Sequence, residues 1–166
     1  MRKIIFILFS IFCSFQVYSQ LQNQLFGCVL GQTYDKFVCK KLKQNNYYPS
    51  YYGNVLFVND VKYGGVNWPC VAFYFENNIL SEVRFMQDNT TSTNRSISNT
   101  YVSLRSLLLE KYSDNLLNQN SHSVSFGDEN VIIVLTKEDN DIPNVTLQYV
   151  YAPFIIQDRN KGRDEL

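Results

Sequence analysis

Apolar residues in this chain follow a pattern that occurs twice. A stretch with the spacing of a helix comes first, and runs in which apolar and polar residues alternate come after it. Residues at helical spacing run from Tyr34 to about Asn45 and again from Ile97 to Tyr112. Three runs with strand-like patterns follow each stretch, and these runs predict strands. The predicted strands are Asn54–Asn59, Val66–Phe75 and Ile79–Met86 in the first cycle, and His122–Phe126, Val131–Lys137 and Val145–Ala152 in the second.

This repeated order predicts an α+β fold. Short turns, such as the hairpin candidate Asn77-Asn78, join consecutive strands, so neighbouring strands should pair antiparallel. We therefore expect a curved antiparallel sheet with two helices on one face, built from a duplicated helix-plus-three-strand unit. The halves span about 25–87 and 96–153. A run at 25–30 predicts one more short strand, and Thr33 is the expected N-cap of the first helix.

The N-terminus has the pattern of a cleavable export signal over residues 1–19. Arg2 and Lys3 form a basic start, and an apolar core of about nine residues, Ile4–Phe12, follows them. Val17 and Ser19 are small enough for the −3 and −1 positions of a cleavage site. The apolar run is shorter than the roughly 20 residues that span a bilayer, so no membrane span is expected after cleavage.

The mature chain is expected to be a single domain at 20–156 with a polar flexible tail at 157–166. Such a protein would be periplasmic or extracellular. The last four residues, Arg163 to Leu166, resemble the KDEL-type retention address, so the lumen of the endoplasmic reticulum is the alternative location.

Composition and charge narrow the class of partner. Apolar residues make up 45% of the chain and charged residues 18%, which is typical of a globular protein. Twelve Tyr and twelve Phe favour a sheet-rich fold. Of the 15 basic residues, Arg2 and Lys3 leave with the signal, so 13 remain against 15 acidic ones. This balance predicts neither nucleic-acid nor anionic-lipid binding.

Three cysteines remain after cleavage: Cys28, Cys39 and Cys70. A disulfide between Cys39 and Cys70 is the first candidate, because the first helix is expected to lie over the strand that carries Cys70. Cys28–Cys39 is the second, and three buried free thiols are the third. A single histidine with these scattered cysteines cannot complete a structural zinc site, so no metal is expected.

The chain shows little sign of catalytic machinery. His122 is the only histidine, and it stands beside Ser121 at the start of a predicted strand without a nucleophile elbow. The carboxylates at 138–141 lack the full calcium-loop pattern and are interpreted as a solvated turn. Gly64-Gly65 is a turn pair and not a phosphate loop, so no cofactor is expected.

The aromatic residues supply the candidate binding site. Four tyrosines lie within six residues, between the first helix and the next strand, and Pro49 and Gly53 favour a loop there. Tyrosine and tryptophan give large contact area with little loss of rotamer entropy, which suits protein interfaces and sugar stacking. Alternatively, two of the tyrosines cap the core. The candidate partner-binding residues are Tyr47, Tyr48, Tyr51, Tyr52 and Trp68.

Several segments together resemble a known type of protein. These are Phe26–Thr33, the helix end near Asn46-Tyr47, Tyr63–Val66 and the closing Leu107–Tyr112. In these segments the chain resembles small uncharacterised exported proteins of Bacteroidetes. It is more distantly similar to the β-lactamase-inhibitor-protein-like α+β fold, in which a helix-plus-meander unit is duplicated. That resemblance implies protein binding and carries over no particular functional residue.

The sequence therefore favours an exported, non-enzymatic binding module that engages a protein partner through its sheet face or the segment 47–52. The alternatives are an envelope or secreted hydrolase with an unrecognised site and a glycan-binding domain. An enzyme requires His122 to approach a carboxylate or a thiol, whereas a binding module requires exposed tyrosines.

Overall fold

Residues 21–155, which the computed structural model describes, form one eight-stranded antiparallel sheet, a two-stranded hairpin and helices α1 and α2. The predicted signal peptide at 1–19 and the predicted tail at 157–166 lie outside the described residues. The elements are β1 Gln24–Leu25, β2 Cys28–Val29, α1 Asp35–Gln44, β3 Ser50–Tyr52, β4 Val55–Tyr63, β5 Val66–Glu76, β6 Ile79–Asp88, α2 Asn94–Tyr112, β7 Leu116–Gln119, β8 Ser123–Gly127, β9 Val131–Glu138 and β10 Asn144–Tyr151.

The strand order confirms the predicted α+β class and the duplicated layout. The large sheet runs β3-β4-β5-β6-β10-β9-β8-β7, so the last strands of the two units meet at its centre. There β6 and β10 pair antiparallel, with Val83 opposite Tyr149. Outward from this pair, both units present their strands in the same reversed order. The two halves therefore share one continuous sheet.

Each unit has four strands and not the predicted three. The additional strands, β3 and β7, form the two edges of the sheet and contain only three and four residues, all of them exposed. A strand with no buried residue has no alternation of apolar and polar positions, so the pattern that revealed the other strands is missing here. Short edge strands are a common way to limit pairing between sheets.

The N-terminal strand prediction was also too simple. The run at 25–30 is a hairpin of β1 and β2, in which Phe26 and Gly27 turn the chain with φ of 53° and 76°. The prediction that Thr33 is the N-cap of α1 was wrong, because Tyr34 occupies that position. The Thr33 hydroxyl instead accepts a hydrogen bond from the Val29 N–H at 2.8 Å. The threonine therefore closes the turn before the helix.

The turn predictions were partly correct. The two-residue turn at Asn77-Asn78 is confirmed, and both residues have positive φ, at 50° and 64°, as a hairpin turn of this type requires. The turn expected at 60–65 is limited to Gly64-Gly65, because β4 continues to Tyr63.

Both helices pack on the same face of the large sheet. α1 buries Val38 and Leu42, and α2 begins where the Thr93 hydroxyl accepts from the Ser96 N–H at 3.2 Å. The helices share one apolar core with alternate residues of the central strands. α2 contributes to this core Ile97, Tyr101, Leu104, Leu108 and Tyr112, and the strands contribute among others Phe73, Val83, Phe85, Ile133, Leu135 and Leu147. We call the opposite face of the sheet the open face. Neither α1 nor α2 combines the length and the apolar character needed to cross a bilayer.

Candidate binding surface

The first two of the candidate tyrosines point in different directions. Tyr47 is half-buried, and its ring meets that of Phe26 edge-on, with centroids 5.9 Å apart and planes at 85°. Tyr48 is 89% exposed. Tyr47 therefore belongs to the rim of the core, and Tyr48 projects into solvent.

Tyr51 and Tyr52 are neighbours on β3 and therefore face opposite sides of the sheet. Tyr51 is paired with the core residue Leu56, so it lies on the helix face beside α1. Partial burial raises the pKa of its hydroxyl, with further contributions from Cys39 and Asp35. Tyr52 is 81% exposed and stands on the open face. The four tyrosines therefore do not form one patch, and the segment predicted as a loop contains the strand β3 at Ser50–Tyr52.

Trp68 is a core residue and does not reach the protein surface. Its side chain is fully buried, its Nε1–H donates to the Tyr63 carbonyl at 3.1 Å, and its ring lies 5.4 Å from that of Phe85. Further along β5 the large buried side chains are Val71, Phe73 and Phe75, at odd-numbered positions, so the alternation shifts by one position around Pro69. That shift turns Trp68 into the core, and simple alternation along the strand does not predict it.

Tyr52 is the first of a row of side chains that the pairing of the strands aligns across the open face. Tyr52 is opposite Val55, Val55 is opposite Tyr74, and Tyr74 is opposite Glu82. Side chains directly opposite one another in adjacent strands are close enough to interact. The exposed tyrosine at the sheet edge is thus connected to the centre of the sheet, where the two halves meet.

Arg84 lies at the central end of this row, and three groups hold its guanidinium in place. Nε donates to Glu82 Oε1 at 2.7 Å, and the guanidinium carbon lies 4.9 Å from the ring centroid of Tyr74. The Gln148 amide oxygen, in the orientation that satisfies both amide atoms, accepts from Nε at 3.0 Å and from Nη2 at 3.2 Å. Burial acts to lower the pKa of Arg84, but the hydrogen bond and charge of Glu82 outweigh it, so the pKa is raised.

We call Tyr52, Tyr74, Glu82, Arg84 and Gln148 the open-face row. A cleft of about 550 Å³ adjoins it, formed by β6, β9, β10 and the turn before β10. Besides Arg84 and Gln148, this cleft is lined by Met86, Glu138, Ile142 and Thr146. Both units contribute residues, so this surface exists only in the assembled sheet.

The sequence pattern does not mark Tyr74, Arg84 or Gln148 as site residues. A signal for Arg84 was present, because alternation in the strand 79–86 places it on the opposite face from Val83 and Phe85. Its partner Gln148 belongs to the other half of the chain, and only the pairing of β6 with β10 brings the two together.

The candidate disulfide between Cys39 and Cys70 is contradicted by the fold. Cys39 lies on α1, beside Tyr51, whereas Cys70 is opposite Met86 in the sheet and shares its open face. The sheet separates the two thiols, and Cys28, Cys39 and Cys70 are all free. Burial raises the pKa of Cys28 and of Cys70, which makes both thiols less reactive.

We expect the oxidised and reduced forms of the mature protein to have the same mass. When the chain is unfolded in denaturant without reductant, Cys28, Cys39 and Cys70 should each take up one alkyl group, because all three are free thiols. Mass spectrometry of the alkylated protein measures this directly. Alkylation of only one cysteine, with a mass 2 Da lower before reduction, would show that a bridge forms.

His122 lies within reach of a serine and a carboxylate, as an enzyme would require. Its Nδ1 is 2.7 Å from Ser121 Oγ, and its Nε2 is 3.4 Å from Asp139 Oδ2. However, the His122 and Asp139 side chains are 60% and 49% exposed, and Lys137 Nζ lies 2.9 Å from the same carboxylate. The pKa of Asp139 is lowered, mainly by the hydrogen bond that its carboxylate accepts from Lys137. This cluster lies in water and lacks a desolvated setting for catalysis.

The neighbouring acidic turn has a structural role. Glu138 Oε2 accepts hydrogen bonds from the side-chain amides of Asn140 and Asn144, at 2.9 and 3.1 Å. These bonds close the turn between β9 and β10. Within residues 21–155 no three His, Cys, Asp or Glu side chains gather in a way that could hold a metal ion.

No protein-family model, curated protein or solved structure matches this chain. The resemblance to exported proteins of Bacteroidetes and to the β-lactamase-inhibitor-protein-like fold therefore stays a prediction.

Proposed function

We propose that this protein is an exported, non-enzymatic binding module that engages a protein partner through the open-face row. The observation that carries the proposal is the alignment of Tyr52, Tyr74 and Arg84 across one face of the sheet. Tyrosine and arginine are among the residues that contribute most to protein–protein binding energy. The predicted signal peptide supports export to the periplasm or outside the cell, with the endoplasmic reticulum as the alternative.

The held guanidinium of Arg84 supports this proposal energetically. A flexible arginine loses rotamer freedom when a partner binds it, and this loss weakens binding. Glu82, Tyr74 and Gln148 already restrict Arg84 in the free protein. A partner that contacts the row therefore meets a preorganised surface, with apolar contact supplied by the adjoining Met86 and Ile142.

Replacing Tyr52 with alanine is the direct test, and the adjacent Tyr51→Ala is its matched control. Both changes remove one partly exposed tyrosine from β3, but only Tyr52 lies on the open face. Immobilised mature protein is exposed to an envelope extract of its source, and retained proteins and glycans are identified by mass spectrometry. We expect a protein partner whose recovery falls about tenfold or more with Tyr52→Ala and little with Tyr51→Ala.

Two outcomes would contradict the proposal. Equal recovery with both variants would remove the open-face row from the binding site. Retention of a carbohydrate in place of a protein, again lost with Tyr52→Ala, would favour the glycan-binding alternative, because sugars also stack on tyrosine rings.

The hydrolase alternative is favoured by one observation, the contacts of His122 with Ser121 and Asp139. We expect Ser121 to resist a fluorophosphonate probe, because the Asp139 carboxylate that would orient His122 is paired with Lys137, and the His122 and Asp139 side chains are exposed to solvent. Labelling is measured by mass spectrometry of the intact protein, with Ser121→Ala as control. Stoichiometric labelling of wild type that Ser121→Ala abolishes would establish the alternative.

A further inference from the structure

A groove of about 590 Å³ opens between the β1–β2 hairpin, the end of α1 and the later part of β4. β3 pairs only with residues 55–57 of β4, so the later part of β4 forms the sheet edge within the described chain. We call this depression the lysine groove. It is lined by two lysines, two aromatic rings and two amide side chains: Lys41, Lys62, Phe26, Tyr47, Gln44 and Asn45.

The two lysines give the groove a positive charge that no carboxylate among its lining residues offsets. Neither Lys41 nor Lys62 forms an ion pair with any group in residues 21–155. The stem of Lys41 lies along the hairpin turn, since a β carbon added at Gly27 would be 3.8 Å from its Cδ. Burial raises the pKa of Cys28 in β2, and the positive charge of Lys41 opposes that rise. The ammonium group of Lys41 is therefore close to the β1–β2 hairpin.

The apolar wall of the groove is built on a strained residue. Phe26 has φ of 53°, a left-handed conformation that costs a bulky side chain about 1–3 kcal/mol. Its ring is surrounded by four others at centroid distances of 5.7 to 6.1 Å, those of Tyr47, Tyr63, Phe73 and Phe85. This packing offsets the strain and holds the ring rigidly at the groove wall. Strained residues in over-determined surroundings cluster at ligand sites.

We propose that the lysine groove binds a small molecule that carries an oxyanion, a carboxylate or a phosphate, on an aromatic or apolar body. The oxyanion lies at the ammonium group of Lys41, Lys62 adds positive charge from the edge of the sheet, and the body rests against Phe26 and Tyr47. The volume of the groove is within the range of small-molecule sites. This site is formed by different residues from the open-face row, and neither proposal depends on the other.

Chemical-shift titration of ¹⁵N-labelled protein, residues 20–166, tests the proposal. The probes are benzoate and phenyl phosphate, with benzamide and inorganic phosphate as controls that lack the charge or the body. We expect saturable shifts at the amides of residues 26–28, 41 and 62 with benzoate or phenyl phosphate, and the tighter probe identifies the oxyanion. Each control should bind about tenfold more weakly, because it makes only half of the contacts.

Paired lysine substitutions locate the site. Lys41→Gln with Lys62→Gln should weaken probe binding about tenfold. Lys36→Gln with Lys40→Gln removes the same charge from exposed positions of α1 and should change it less than about twofold. Absence of saturable shifts with both probes would overturn the proposal. So would equal weakening by the two double variants, or equal binding of inorganic phosphate, which would indicate an adventitious ion only.

Discussion

Trp68→Ala should lower the free energy of unfolding by about 3–5 kcal/mol, the usual cost of truncating a fully buried large aromatic side chain. The change removes the contact with the Phe85 ring and leaves a cavity between the sheet and the helices. It also leaves the Tyr63 carbonyl without the hydrogen bond from the indole N–H. Urea unfolding followed by circular dichroism measures the loss as a lower midpoint at unchanged slope.

Tyr52→Ala is the control for this measurement, because Tyr52 is 81% exposed. Its free energy of unfolding should remain within about 0.5 kcal/mol of wild type. If Trp68→Ala were equally harmless, Trp68 would be a surface residue and could rejoin the candidate binding site. A large loss only at Trp68 would assign the tryptophan to the core and show that Tyr52 is not needed for stability.

Gly31→Ala should be similarly damaging, by about 2–5 kcal/mol. Gly31 has φ of 75°, and a β carbon there would lie 2.4 Å from two ring carbons of Tyr151. The left-handed backbone costs alanine about 1–2 kcal/mol, and overpacking adds about 1–3 kcal/mol. The Gly31 N–H also donates to the Leu80 carbonyl at 2.8 Å, so the strain falls on a connection between the N-terminal segment and the sheet.

Gly53→Ala separates the backbone contribution from the steric one. Gly53 has a similar φ of 62°, but a β carbon there would have no neighbour within 4 Å. Its substitution should therefore cost only the backbone strain, about 1–2 kcal/mol. Equal losses of unfolding free energy for Gly31→Ala and Gly53→Ala would contradict the close approach of Tyr151 to Gly31.

The fold was largely predictable because its main elements bury one regular face. The apolar residues from Ile97 to Tyr112 repeat with the spacing of a helix, and the buried residues of β9 alternate as in a strand. Each pattern therefore fits only one type of secondary structure. The edge strands β3 and β7 were missed because none of their residues is buried. Their position is imposed by pairing with a neighbouring strand and leaves no mark on the hydrophobic pattern.

The candidate site was only partly predictable, for a different physical reason. Composition draws attention to the tyrosines of the segment 47–52, but whether a tyrosine faces the core or the solvent depends on strand register. That register separates Tyr51 from Tyr52 and connects Tyr52 to Tyr74. The shift of alternation near Pro69 buries Trp68 in the same way. Contacts between the halves, such as Arg84 with Gln148, need the assembled sheet.

A photo-crosslinking amino acid at position 52 tests the central claim most directly, with the same residue at position 51 as the control. Residue 52 lies on the open face and residue 51 on the helix face of the same strand. The proposed function predicts that illumination of the protein in its native extract joins position 52, and not position 51, to a single protein partner. Crosslinks of equal yield from both positions, or from neither, would contradict binding through the open-face row.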